Sequence, residues 1–284
     1  MRRKYNAFCN TFPSGFDIKH LSFAKNMARF KITLEYDGAR YQGWQIQKDA
    51  RSIQGVCMDA CREVFQTEKI EFFGAGRTDA GVHALGQVAH LEVLTELSPP
   101  VIRMRLNDAL PSDVNILHVE KAPARFHARH DATARSYVYQ ISRRRNAFGK
   151  KYMWWVKDRL DAGAMRIAAQ HLTGMHDFRS FSNEKDEAQS SLVKIERLEV
   201  IEQGDLILIH IIGSHFLWKM VRRITGVLVE IGRGKMEAVQ IRDLLQKASA
   251  EPAKYTAPPA GLFLERVYYG GDKLEAPRIL FGAR

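Results

Sequence analysis

One order of elements, strand–helix–strand–strand–helix–strand, is written into this chain twice, and few folds accommodate that. Phe30, Ile32, Leu34 and Tyr36 alternate with Lys31, Thr33 and Glu35, the pattern of a half-buried strand. Ser52 then caps a helix whose apolar face runs through Ile53, Val56, Cys57, Ala60, Cys61 and Val64. Strands are predicted at 69–73 and 87–93, and Ser98-Pro99 opens a second helix that Pro111 ends. A strand at 113–120 completes the set. The second set has strands at 135–142, 192–202, 206–212 and 262–269, with Gly204-Asp205 as a hairpin signal. Its helices are predicted at 161–172 and 216–231, with an extra one at 236–248. The expected fold class is α+β, two tandem ferredoxin-like (βαββαβ) halves, each with an antiparallel sheet against its own helices.

Between the second and third strands lies G-A-G-R-T-D-A-G-V-H-A-L-G-Q-V-A-H, residues 74–90, with four glycines that let the backbone turn tightly near a ligand. Arg77, Thr78 and Asp79 occupy the loop. On these residues alone, an Asp beside an Arg reads first as ordinary turn chemistry, with a reactive carboxylate as the alternative.

The length of the match goes further. The run resembles the signature of the TruA family, the bacterial tRNA pseudouridine synthases I, and the likeness extends from about Arg29 to Tyr269. Four more stretches carry it in order: E-Y-D-G-A-R-Y-Q-G-W-Q (35–45), F-H-A-R-H-D-A-T-A-R-S-Y-V-Y (126–139), H-F-L-W-K-M-V-R (215–222) and G-L-F-L (261–264). The resemblance implies the pseudouridine synthase fold, a homodimer, and isomerisation of uridine in the tRNA anticodon stem-loop at family positions 38, 39 and 40. It makes Asp79 the nucleophile, and Arg222 the arginine that ion-pairs with it. Tyr137 is implied to pack on the target base and to assist proton removal from C5, Arg77 to help hold the everted nucleotide, and Leu264 to line the pocket. Arg77, two residues from Asp79, is also expected to steady its charge. His83 reads as a local hydrogen-bonding residue.

Charge agrees with a polyanionic partner. The chain carries a net charge of +11, and residues 121–151 hold nine Lys/Arg against Asp131 alone, a local excess of +8. Phe126, Tyr137, Tyr139, Phe148 and Tyr152 are interleaved with those cations, the ingredients of phosphate tracking and base stacking. No apolar run is long enough to span a bilayer, so no membrane partner is expected. Three cysteines argue against a disulfide framework and for a reducing, cytoplasmic setting; Cys57 and Cys61 read as buried hydrophobes. His127 and His130 lack a second ligand pair, so no metal is assigned.

Competing motifs fail on context. Gly74-x-Gly76 lacks the third glycine of a dinucleotide loop, and Gly232-Arg233-Gly234-Lys235 follows a helix and has no Ser/Thr after the lysine. Pseudouridine formation exchanges an N1–C1′ bond for a C5–C1′ bond with every atom already in the substrate, so no cofactor is expected. A carboxylate divides that rearrangement into easier steps by attacking C1′ or C6, and the sequence does not separate the routes. The rivals are a non-catalytic RNA-binding protein or chaperone, and a pseudouridine synthase with another RNA target.

The expected organisation is an N-terminal arm at 1–28, a first half at 29–125 carrying the loop, a second half at 126–275, and a tail at 276–284. For the arm two versions are expected: translation starting at Met27, or a poorly ordered segment.

Overall fold

The computed structural model describes residues 27–182 and 190–278. The expectations for residues 1–26 and 279–284 therefore lie outside the described residues. Among the described residues ten strands form one sheet, accompanied by six helices. The first set is β1 (Ala28–Tyr36), α1 (Ile53–Phe65), β2 (Ile70–Gly74), β3 (His83–Val93), α2 (Pro99–Ala109) and β4 (Val114–Lys121). The second is β5 (Ala132–Ser142), β6 (Trp154–Trp155), α3 (Ala162–Leu172), β7 (Gly174–Asp177), β8 (Leu192–Gln203), β9 (Leu206–Gly213), α4 (Met220–Gly232), α5 (Gln240–Gln246), α6 (Glu251–Lys254) and β10 (Leu262–Tyr269).

β1 lies between β4 and β3, and β2 borders β3; in the second set β5 lies between β10 and β9, and β8 borders β9. Both are the fourth-first-third-second order of a ferredoxin-like unit, as the repeated pattern implied. The halves do not keep separate sheets. The free edge of β3 is shared: β2 pairs with its end, while β10 runs parallel to its start through Phe263↔His83 and Leu264↔Ala84. β3 consequently begins at His83, four residues earlier than its alternation suggested. Its Gly86 sits so close to β10 that a Cβ there would be 2.6 Å from the Glu265 carbonyl oxygen.

Ser52 caps α1 as expected, its hydroxyl accepting from Gly55 N–H at 3.2 Å; Asp161, expected inside the helix at 161–172, instead caps α3, its carboxylate accepting from Ala164 N–H at 3.0 Å. Phe30, Ile32, Leu34 and Tyr36 belong to one apolar core that spans both halves. Two smaller clusters, around Val138 and around Tyr268, cover the opposite face of the second half. α4 starts at Met220 rather than 216, because Lys219 takes a left-handed conformation (φ 62°) and residues 214–219 form a loop. The extra helix is confined to α5 and is followed by the short α6, which the pattern did not announce. No helix of the described residues is long and apolar enough to cross a membrane.

Candidate active site

The glycine-framed loop is held by its backbone before any catalytic side chain is considered. Ala75 N–H donates to Val88 C=O at 2.7 Å, Trp44 N–H to Thr78 C=O at 3.0 Å, Gly81 N–H to Tyr41 C=O at 3.2 Å and Val82 N–H to Asp79 C=O at 3.1 Å. Side chains add to this: Gln87 Nε2 donates to Gly76 C=O at 2.9 Å, and the hydroxyls of Tyr36 and Thr78 meet at 2.8 Å. Gly43 lets the 37–45 segment approach so closely, since a Cβ there would come 2.5 Å from Thr78 O and its φ of +94° is one few side chains tolerate. That accounts for the G-W-Q stretch that accompanies the loop motif in sequence.

Asp79 is thereby presented to the second half. Arg222, in the first turn of α4, donates Nη1–H to Asp79 Oδ2 at 2.9 Å; the side chains are 14% and 20% exposed, so the pair is largely shielded from water. Arg222 is itself fixed, its Nε donating to Ala257 C=O at 2.8 Å while Ala257 N–H returns to Arg222 C=O at 3.0 Å. Asp79 Oδ1 makes no hydrogen bond among the described residues, which leaves one carboxylate oxygen free to react.

Tyr137 lies on β5 with its ring edge-on to Phe216 at 5.2 Å. Burial pushes its hydroxyl up to about 12, Arg135 pulls against this and Asp79 adds to it. Leu264 is fully buried, directly opposite Tyr137 on β10 and opposite Ala84 on β3. Asp79, Arg222, Tyr137 and Leu264 are thus brought to one region from both halves. Arg77 is placed differently from expectation. It is exposed and makes no ion pair among the described residues, and Arg222 takes the position beside Asp79 instead. Arg77 lines a narrow recess with Trp44, Gln45, Phe73 and Arg129. His83 is buried, accepts from Gly38 N–H at 3.1 Å and stacks on Phe263 of β10 at 4.8 Å.

Arg135 was missed as anything but a surface cation. It is buried, and its guanidinium donates to four carbonyls: Ala132 at 3.2 Å, Ser214 at 3.0 Å, Ala75 at 3.0 Å and Arg129 at 2.8 Å. It therefore ties the Asp79 loop to the loop ahead of Arg222. Its place two residues before Tyr137, as the one charged residue of that strand, was the available signal. Of the other eight cations in 121–151, Arg143 pairs with Glu202 and Arg144 with Asp205. Lys121, Arg125, Arg129, Arg145, Lys150 and Lys151 are exposed without ion pairs among the described residues. Among the interleaved rings, Tyr137 and Tyr139 are core residues and Phe148 is 91% exposed.

Comparison with known proteins places these residues in context. The profile of a family described as tRNA pseudouridine synthase matches residues 32–131 and 168–270. The chain is 38% identical over 246 residues to tRNA pseudouridine synthase A 2 of Bacillus cereus. It is 39% identical over 248 residues to tRNA pseudouridine synthase A of Bartonella tribocorum, and 43% identical over 246 residues to that of Rhodopseudomonas palustris. Each alignment covers 86% of this chain and 100% of the relative.

Proposed function

The chain belongs to the tRNA pseudouridine synthase family, and from that premise we propose that it isomerises uridine to pseudouridine in tRNA with Asp79 as the nucleophile. The observation that carries the assignment to Asp79 is its shielded pairing with Arg222 across the two halves, with one oxygen left uncommitted. A uridine stacked in a stem cannot reach that carboxylate, so the base is everted into the cleft. Asp79 attacks C1′ or C6; the N1–C1′ bond breaks, the C5–C1′ bond forms, C5 loses its proton and N1 gains one. Arg222 keeps the carboxylate aimed.

Tyr137 fits one of its two expected roles better. Burial pushes its hydroxyl up to about 12, which disfavours the phenolate and so favours ring packing over removal of the C5 proton. Packing of its ring against the base is the role we carry forward, with Leu264 supporting the ring from β10. Arg77 and the unpaired cations of 121–151 hold phosphates of the anticodon stem-loop, recognising backbone and shape. The units are residues 29–125 and 126–275, and two copies of the chain form a homodimer around the RNA.

Asp79→Asn tests the reading. Pseudouridine mapping of tRNA from a deletion strain carrying that variant should show loss of the modification, while purified protein binds tRNA within about threefold of wild type. Pseudouridine formed at the normal level by Asp79→Asn would remove the carboxylate from the mechanism.

A further inference from the structure

The loop between β9 and α4 presents a pair that the reaction above leaves unused. Trp218 is 47% exposed, an unusual position for the largest apolar side chain. Lys219 follows with φ 62°, a left-handed conformation that is costly for a non-glycine residue and persists only where the surroundings enforce it. Its Nζ lies 4.9 Å from the centre of the Trp218 ring, and it has no carboxylate partner among the described residues.

The surroundings do enforce it. Ser214 C=O is held by Arg135, Phe216 packs its ring against Tyr137, and Met220 N–H donates to Leu217 C=O at 3.1 Å. The loop is therefore pinned on both sides, and Trp218 stands four residues before Arg222, the partner of Asp79. A held indole beside an unpaired ammonium suits a nucleotide, with ring stacking on base and cation meeting phosphate. Stacking on an aromatic side chain is open to any base, because every base presents a π-face.

We propose that Trp218 and Lys219 form a shelf on which an unstacked base flanking the everted uridine rests, Lys219 leaving the ring to meet that nucleotide's phosphate. The proposal rests on the tRNA reading of the site. Everting one nucleotide unstacks its neighbours, and a surface that receives one of them lowers the cost of eversion.

The test is steady-state kinetics on a substrate tRNA, with direct tRNA binding measured in parallel, for Trp218→Ala, Trp218→Phe and Lys219→Gln. Trp218→Ala should raise KM and weaken binding by about ten- to a hundredfold, with kcat lowered less than threefold; Trp218→Phe should restore most of the loss. Lys219→Gln should weaken binding and flatten its dependence on salt. Unchanged KM and tRNA affinity in Trp218→Ala would overturn the shelf, as would a Trp218→Phe protein no better than Trp218→Ala. Failure of the underlying reading looks different: wild-type protein would then form no pseudouridine. Binding by the three variants would still report on the shelf.

Discussion

Arg135 donates to four carbonyls, one in the loop that carries Asp79 and one in the loop ahead of Arg222. Arg135→Met would remove all four bonds, the buried one to Ala75 among them. The expected loss of stability is about 2–4 kcal/mol, read from the shift of the urea midpoint. Arg135→Lys keeps the charge but not the fork, and a single ammonium cannot span carbonyls in three segments. Under conditions where Arg135→Lys remains folded by circular dichroism, kcat should fall more than tenfold, because the ion pair beside the substrate loses its alignment.

At the level of strands, β10 carries a buried polar network on the face away from the helices. Glu265 accepts from the Ser136 hydroxyl and from Arg278 N–H at 2.6 Å, with His210 Nε2 at 3.3 Å; His210 Nδ1 faces Glu199 at 3.1 Å. Burial raises the Glu265 pKa, but the bonds from His210, Ser136 and Arg278 outweigh it, and the carboxyl lies below its ordinary value. Its contribution to stability is then fully present above the unfolded-state pKa, near 4.3, and is lost as pH falls through the lower folded value. Denaturation midpoints followed from neutral pH down to about 3 should drop less steeply for Glu265→Gln than for wild type. The same strand shows what sequence could reveal. β1, α1 and β8 were legible because a single period of apolar residues fixes each one. The first residues of β3 were not, since their partner is β10, distant in the chain; nor was the late start of α4, which depends on tertiary contacts of residues 214–219. Asp79, Tyr137 and Arg222 were legible as short motifs. Arg135 was not, because alternation along β5 gives no hint that both its faces are covered.

For the molecule as a whole, the seam between β3 and β10 decides whether the two halves act together. Gly86→Ala would drive a Cβ against the Glu265 carbonyl, a clash between backbones that side-chain motion cannot relieve. A loss of about 1–3 kcal/mol is expected from such overpacking. Activity should fall further than the folded fraction does, because Asp79 and Arg222 lie on opposite sides of the joint; turnover per folded molecule, set against a thermal melt, checks this. The joint also imposes an order on biosynthesis. β10 occupies the middle of the sheet although it is the last strand to be made, and Asp79 waits through 143 residues of translation for its counter-charge. At about 5–20 residues per second that interval is roughly 7–29 seconds. Until β10, the last of the described strands, has joined, the two sheets keep bare inner edges, so the frame that holds Asp79 against Arg222 is completed late in synthesis.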